Sequence, residues 1–230
     1  MPSPIILALD TQDIDTAASW ILATRDSIDT YKVGLEFFLK HGRTGLQSLR
    51  SVAEFDLFLD LKLHDIPNTV RAAVDSVADL MPKFLTVHAS GGRTMIEAAS
   101  SVSDEIEIVA VTILTSLSDS EVFEIGYREP ALSSAVSLAS LGAHAGARAI
   151  VSSPFEAQGI RTAVGPSITI ITPGVRPVGS ESNDQTRIMT PAQALENGAN
   201  YFVIGRPITS LGSSSAMKEK AAEILASANG

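Results

Sequence analysis

The segment FDLFLDLKLHDIPNT, residues 55–69, places two acids and a lysine where their side chains could share one site. Asp60 and Lys62 are two residues apart in an apolar run, so on a β-strand both side chains point to the same face. Asp65 follows in the loop that leads to the next helix. An ammonium group held among carboxylates keeps its proton and can donate it to a carbon atom. The segment therefore predicts a proton-transfer site.

The alternative interpretation is a structural network of ion pairs that closes the top of the fold. A charged pair on a buried face is unfavourable unless further charges and hydrogen bonds complete it. Lys32 and Asp10, at the ends of two other apolar runs, are the obvious completing partners. Together with Asp65 the set has three acids and two bases, which leaves one excess negative charge. A carboxylate beside a substrate anion would aid a reaction only if their repulsion fell in the transition state.

A second segment, VIGRPIT at residues 203–209, predicts a phosphate site. Gly205 would let the backbone approach a ligand, and the guanidinium of Arg206 can hold an oxyanion through two parallel hydrogen bonds. A long polar loop earlier in the chain adds Arg176 and Gln185. The alternative is that the glycine and arginine only form a turn between a strand and a helix.

Other polar residues at the ends of apolar runs are less specific. His88 is interpreted as a hydrogen-bonded structural residue, although it could be a base or a ligand. Thr115 and Ser116 could hydrogen-bond a polar heterocycle or cap the following helix, and spacing does not separate these roles. No H-E-x-x-H motif or clustered His and Asp spacing predicts a metal site. The remaining histidines are predicted to be surface or packing residues: His41, His64 and His144.

Short apolar runs recur along the whole chain and would position these side chains. They are rich in Ile, Val, Leu or Phe without clean alternation, as is typical of parallel strands covered on both faces. The eight runs are residues 4–10, 30–34, 55–62, 83–88, 106–114, 148–152, 167–172 and 201–205. Segments with helical spacing of apolar residues lie between or after them: 13–25, 68–80, 92–101, 131–142, 191–197 and 216–226.

This alternation predicts an α/β fold, a (β/α)8 TIM barrel that forms one domain over residues 1–230. The alternative is a doubly wound open sheet, but eight runs and the absence of G-x-G-x-x-G after the first run favour the barrel. Catalytic and phosphate-binding residues of such barrels lie at the C-terminal ends of the strands, where the candidates fall. The polar loop at residues 172–190 is long enough to act as a lid.

Composition excludes several classes of protein. Lys and Arg number 17 against 26 Asp and Glu, and a net charge of −9 argues against a general nucleic-acid partner. The chain has no cysteine, which excludes disulfides, thiolate metal sites and cysteine nucleophiles. No apolar stretch approaches the ~18 residues of a membrane span. The first residues lack the basic region of a signal peptide, so we expect a cytoplasmic protein without membrane association.

Several segments together resemble the orotidine 5'-monophosphate decarboxylase family in its bacterial form. The most specific is DLKLHDIPNT at 60–69, and the resemblance runs in order over nearly the whole chain. The other segments are LALD at 7–10, KVG at 32–34, VHASGG at 87–92, VTILTS at 111–116, TPGVRP at 172–177, DQTRIMTP at 184–191 and VIGRPIT at 203–209.

The resemblance implies a homodimeric barrel that converts orotidine 5'-phosphate to UMP and CO2 in pyrimidine biosynthesis, without a metal or organic cofactor. It implies that Lys62 protonates C6 of the pyrimidine as CO2 leaves and that Asp60 lies against the substrate carboxylate. Asp65 and Thr69 would reach the partner subunit's site. The other implied contacts are Asp10 and Lys32 with the ribose, Thr115 and Ser116 with the pyrimidine, and Arg176, Gln185, Gly205 and Arg206 with the phosphate under a closing loop. Ile66 and Pro173 complete the implied substrate-binding set.

Two other functions remain open on the sequence. One is a metal-dependent decarboxylase of keto-sugar phosphates, which shares a D-x-K-x-x-D strand and a phosphate site. Lys32 and the loop with Arg176 and Gln185 favour the nucleotide substrate. The other is a catalytically silent nucleotide-binding or regulatory barrel, against which the charged pair Asp60 and Lys62 argues.

Overall fold

The computed structural model describes residues 2–177 and 189–229. Its strands form a closed barrel in the order β1-β2-β3-β4-β5-β6-β7-β8, and each strand pairs in parallel with its neighbours. The strands are β1 Ile5–Ala8, β2 Thr30–Gly34, β3 Asp56–Leu63, β4 Phe84–His88, β5 Glu107–Val111, β6 Ala149–Val151, β7 Thr169–Thr172 and β8 Tyr201–Ile204. The barrel prediction is confirmed, and pairing of β1 with β8 rules out the open sheet.

Helices follow the strands and cover the outside of the barrel. They are α1 Ile14–Thr24, α2 Leu35–Val52, α3 Pro67–Ala78, α4 Arg93–Ser100, α5 Asp119–Glu124, α6 Ala131–His144, α7 Ala157–Val164, α8 Pro191–Glu196, α9 Arg206–Thr209 and α10 Ser214–Asn229, with a short 3-10 turn at Ala89–Gly91. The sequence predicted α1, α3, α4, α6, α8 and α10, and it missed the other four. Within the described part of the chain, no helix is both long and apolar enough to cross a membrane.

The helix α2 was missed because it is interrupted. Gly42 adopts φ +55° inside it, so two helical pieces meet at a kink, and a glycine within a helical pattern argues against one continuous helix. Gly34, just before α2, leaves space for a charged side chain: a Cβ added there would lie 3.3 Å from Lys32 Nζ and 3.8 Å from Asp10 Oδ1. The end of β2 is thus shaped around the Lys32 ammonium.

Apolar side chains fill the barrel interior below its C-terminal mouth. A compact inner cluster consists of Ile6, Phe58, Phe84, Val109, Ala149 and Ile171. The alternate residues of each strand point outward and pack against the helices in a larger cluster, as parallel strands covered on both sides require. Leu59, Leu61 and Leu63 belong to this outer packing, as the sequence predicted. Asp60 and Lys62 of β3 therefore sit above an apolar plug.

The strand β3 is irregular where its charged residues lie. Leu59 pairs with Leu85 of β4, and the next pair is Leu63 with Val87. Residues 60–62 of β3 therefore stand opposite one residue of β4, Thr86, which makes a bulge. Bulges bend a strand and re-aim its side chains, and they are frequent beside active sites.

Candidate active site

Four charged side chains from the ends of β1, β2 and β3 form one array at the barrel mouth. Lys62 Nζ lies 2.8 Å from Asp60 Oδ1 and 2.9 Å from Asp60 Oδ2. Lys32 Nζ lies 3.6 Å from Asp60 Oδ2 and 3.1 Å from Asp10 Oδ1. The array alternates in sign and has no net charge. The structure thus brings together four of the site residues proposed from the sequence.

The Asp60 carboxylate is the centre of this array. Burial alone would raise its pKa, since only 12% of its side chain is exposed. The ammonium groups of Lys32 and Lys62, with hydrogen bonds from Lys62 and Thr86, outweigh burial and hold the pKa of Asp60 below its usual value. Asp60 is therefore a fixed negative charge at neutral pH, and it orients two ammonium groups.

Lys62 has a backbone conformation that a lysine rarely adopts. Its φ is +49°, in the left-handed region, where a non-glycine residue is sterically disfavoured. Its backbone N–H donates to Thr86 Oγ1 at 2.8 Å, and Thr86 Oγ1 donates in turn to Asp60 Oδ1 at 3.1 Å. Strain of this kind is stored where surrounding contacts fix it, commonly at functional sites. Sequence reasoning missed Thr86, although a threonine at an inward position of an apolar strand was a usable signal.

The charge array forms one wall of a cavity of about 340 Å³, which lies in the range of ~300–1,000 Å³ typical of small-ligand sites. The cavity floor is apolar and includes Phe58, Val203 and Ile204. The predicted site residues that line it are Asp10, Lys32, Asp60, Lys62, Thr115, Pro173, Arg176, Gly205 and Arg206. Charged and polar groups thus converge over an apolar floor, as is typical of a site for a small polar ligand.

The predicted phosphate end of the cavity lies at the ends of β7 and β8. Arg176 is 8% exposed, and the exposed side chain of Arg206 lines the same cavity. Since β8 pairs with β1, this end adjoins Asp10 on the flank of β1 away from Lys32. Gln185 and most of the loop predicted to close over a ligand lie outside the described residues.

Four predicted residues do not line this cavity. Asp65, Ile66 and Thr69 are exposed at the end of β3 and the start of α3, and Asp65 Oδ1 accepts a hydrogen bond from the neighbouring Ile66 N–H at 2.7 Å. Ser116 lines an adjacent cavity of about 460 Å³, which shares Thr115 with the first. The charge array within one chain therefore lacks its third predicted acid.

The histidines lie beside the site rather than in it. The rings of His64 and His88 have centroids 5.3 Å apart, and neither residue lines the cavity. Burial lowers the pKa of His88, and the nearby His64 and Lys62 lower it further. His88 is thus neutral at physiological pH, as a structural role requires.

Glu156, at the start of α7, is a buried acid that sequence reasoning missed. It is 7% exposed and borders the adjacent cavity, and its Oε2 accepts a hydrogen bond from the Ser153 N–H at 3.1 Å. Burial raises its pKa to about 7, against which the Ser153 hydrogen bond acts. This contact lies within the turn that precedes α7, so Glu156 is interpreted as a structural residue.

Glu156 makes stability depend on pH. The folded pKa of about 7 exceeds the ordinary 4.5, so the folded chain binds more protons between these values and its stability falls as pH rises through them. Glu156→Gln keeps an acceptor for Ser153 but cannot ionise. In urea unfolding, the free energy of unfolding of the variant, relative to that of wild type, should increase by about 3 kcal/mol between pH 4.5 and 8. Glu121→Gln, in the exposed capping box with Ser118, is the control and should show no such increase with pH. A stability difference between Glu156→Gln and wild type that does not change with pH would contradict the raised pKa of Glu156.

Comparison of the chain with known proteins identifies its family. Residues 3–222 match the family model described as "Orotidine 5'-phosphate decarboxylase / HUMPS family". The chain is 51% identical over 209 residues to the orotidine 5'-phosphate decarboxylase of Thermobifida fusca, covering 91% of this chain and 90% of that protein. It is 43% identical to that of Wolbachia pipientis, covering 90% of this chain and 92% of the relative.

Solved structures agree with the sequence comparisons. The crystal structure of orotidine 5'-phosphate decarboxylase from Lactobacillus acidophilus superimposes with a TM-score of 0.82 at 33% identity, over 97% of this chain and 99% of that one. An uncharacterized conserved protein from Geobacillus kaustophilus also gives a TM-score of 0.82, at 28% identity over 96% and 100% of the two chains. The family model and the curated relatives both match most of the chain, and the fold and the charge array agree with them. The chain therefore belongs to the orotidine 5'-phosphate decarboxylase / HUMPS family.

Proposed function

We propose that this protein decarboxylates orotidine 5'-monophosphate to UMP and CO2, the last step of de novo UMP synthesis, and that Lys62 is the proton donor. The observation that carries the proposal is the Lys62 ammonium, held 2.8 Å from Asp60 in the wall of a cavity with arginines at its other end. An enzyme that removes CO2 from C6 must supply one proton there, and Lys62 is placed to supply it.

The chemical step needs no further reactant. The bond from C6 to the carboxylate breaks, its electron pair stays on C6, and CO2 leaves. The proton of the Lys62 ammonium then forms the new C6–H bond, and the neutral amine regains a proton from solvent. The ammonium also stabilises the negative charge that develops on C6, because it is fixed beside it before the reaction begins. We propose that the reaction uses no metal and no organic cofactor.

Asp60 has a separate part in the proposal. Its carboxylate would lie against the substrate carboxylate, where two like charges repel each other. Loss of neutral CO2 relieves that repulsion. The repulsion therefore raises the free energy of the ground state more than that of the transition state. Lys32 and Asp10 would hold the ribose hydroxyls and keep Asp60 fixed, while Thr115 and Ser116 would face the pyrimidine.

Binding of the phosphate would supply energy remote from the reacting carbon. Pro173, Gly205 and the guanidinium groups of Arg176 and Arg206 surround one end of the cavity. Guanidinium groups bind phosphate oxygens through paired, charge-assisted hydrogen bonds. This binding energy would hold the pyrimidine against Lys62, and Gln185 is proposed to join the same phosphate contacts.

We further propose that two copies of the chain form a homodimer and complete each other's sites. Asp65 and Thr69 are exposed and do not line the cavity of their own chain, so they are available to a partner. Large apolar side chains are exposed in the first turns of α2 and just before α3: Leu35 is 45%, Leu39 79% and Ile66 66% exposed. Exposed apolar groups of this kind, beside polar ones, are typical of a protein interface.

Mixing two inactive variants tests the shared site. Lys62→Ala lacks the proton donor, and Asp65→Ala lacks the acid given to the partner, so each alone should be inactive. A mixed dimer should regain one intact site, and a fully exchanged mixture should recover about a quarter of the wild-type sites. Activity that stays at the level of the separate variants after proven subunit exchange would contradict the shared site.

A direct assay tests the function itself. The ultraviolet absorbance change on loss of the C6 carboxylate should follow enzyme concentration, and EDTA should leave the rate unchanged. A rate abolished by EDTA, or turnover only of a 3-keto-gulonate 6-phosphate, would favour the sugar-phosphate alternative. No turnover of any substrate, with nucleotide binding retained, would indicate the silent barrel.

A cytoplasmic location is part of the same proposal, because nucleotide synthesis takes place there.

A further inference from the structure

We propose that Thr86 is a positioning residue, which sets the geometry of the proton donor by holding both Asp60 and Lys62 through one hydroxyl group. The inference rests on the proposed roles of those two residues. It assigns a function to a buried side chain that does not line the cavity.

The first support is the position of Thr86 in the barrel. It lies in the middle of β4 and is fully buried, two residues after Phe84 on the inward face. It therefore sits directly above the apolar plug and beneath the charge array. A lone hydroxyl in such surroundings is unfavourable unless it is fully hydrogen-bonded, so its bonds are strongly constrained.

The second support is what the hydroxyl does at the bulge. Three residues of β3 face the single residue Thr86, so the regular ladder of backbone hydrogen bonds is interrupted there. Thr86 Oγ1 accepts the Lys62 N–H at 2.8 Å and thus replaces a missing ladder acceptor. This bond anchors the residue whose φ is +49°, the conformation from which the Lys62 side chain extends to Asp60.

The third support is that the donor and acceptor roles are ordered. Because Oγ1 accepts from the Lys62 backbone, its own hydrogen is free for Asp60 Oδ1 at 3.1 Å. The same Asp60 oxygen accepts from Lys62 Nζ at 2.8 Å. The hydroxyl therefore links the backbone of the proton donor to the carboxylate that orients its side chain, in a closed ring of hydrogen bonds.

The test compares three substitutions at this position. Thr86→Ser keeps the hydroxyl group. Thr86→Ala differs from the serine variant by the loss of one oxygen atom. Thr86→Val keeps the shape of threonine without the hydroxyl group. We expect kcat of Thr86→Ala and Thr86→Val to fall about 10- to 100-fold, because small misplacements of a reacting group have effects of that size. Thr86→Ser should stay within about threefold of wild type, because its hydroxyl can make both bonds.

The distribution between kcat and KM separates positioning from general damage. The phosphate end of the cavity is untouched, so KM and the Kd for UMP should change little in all three variants. Thr112→Val is the matched control, because Thr112 is also buried and its Oγ1 donates to the Val151 carbonyl at 3.0 Å, away from the array. It should lose stability and keep its kcat.

The outcomes are distinguishable from failure of the proposed function. If wild type decarboxylates the nucleotide and folded Thr86→Ala turns over as fast as Thr86→Ser, the positioning role is wrong. It is also wrong if Thr86→Ser loses as much kcat as Thr86→Ala, since packing then explains both. If Thr86→Val does not fold, the serine and alanine variants still decide. Failure of the proposed function would show earlier, as a wild-type chain without turnover or a Lys62→Ala variant with normal turnover.

Discussion

Replacing Lys62 by alanine is expected to lower kcat by about 10⁴-fold or more, because the variant loses both a proton donor, worth about 10²–10⁴-fold, and a charge beside the carbanion, worth about 10²–10³-fold. UMP should still bind, since the phosphate end of the cavity is unchanged. Stopped or overnight ultraviolet assays with orotidine 5'-monophosphate measure the loss, and calorimetric titration with UMP measures the binding.

A second lysine provides the control for this substitution. Lys83 is half-buried at the opposite end of the barrel and pairs with Asp56 at 2.6 Å. Lys83→Ala therefore removes a comparable ion pair without touching the cavity, and its kcat should stay within about threefold of wild type. Decarboxylation by Lys62→Ala at a rate close to that of Lys83→Ala would refute the role given to Lys62.

Replacing Arg206 by alanine is expected to lower kcat/KM for orotidine 5'-monophosphate by about 10²- to 10⁴-fold, because hydrogen bonds to charged groups contribute about 1.5–3 kcal/mol each and a guanidinium makes two. The effect should depend on the phosphate. Orotidine, which lacks the phosphate, should react slowly and at a similar rate with variant and wild type.

The substrate pair is thus its own control. Kinetics of both enzymes with both substrates give a coupling free energy between the Arg206 side chain and the phosphate group. A coupling of about 3–6 kcal/mol is expected from the two bonds. If the substitution lowers kcat/KM by the same factor for orotidine 5'-monophosphate and for orotidine, Arg206 does not bind the phosphate and the assignment is wrong.

The fold could be predicted from the sequence because its signal is repeated. Each apolar run is too short to form more than one strand, and eight of them alternating with helical segments leave few architectures. The helices that were missed are short or contain glycine. Gly42 interrupts α2, α7 is only 8 residues long and contains Gly159, and α5 and α9 are shorter still.

The candidate site could be predicted in part, because strand ends meet at one face of a barrel. This rule placed Asp10, Lys32, Asp60 and Lys62 together from the sequence alone. Strand alternation predicted the contact between Asp60 and Lys62 but not its geometry, since Lys62 lies in a bulge with a left-handed backbone. Bulges depend on register between strands distant in sequence, and Thr86 is 24 residues from Lys62. No local pattern could have shown that contact.

The roles proposed for Asp65 and Thr69 depend on a second copy of the chain. Neither residue lines the cavity of its own chain. Whether a second copy brings them to the site depends on an interface, which the pattern of a single sequence does not encode.

The absence of cysteine from the chain allows one direct measurement of what Lys62 does. Lys62→Cys introduces a unique thiol, and alkylation with 2-bromoethylamine attaches an ammonium group of nearly the original length. Alkylation of the same thiol with iodoacetamide attaches a neutral group instead. We predict that the aminoethylated protein recovers at least about 10²-fold in kcat over the unmodified variant, the contribution typical of a positioned acid, whereas the amide-bearing protein recovers nothing. Equal activity of the two alkylated proteins would contradict the claim that an ammonium at this position delivers the proton to C6.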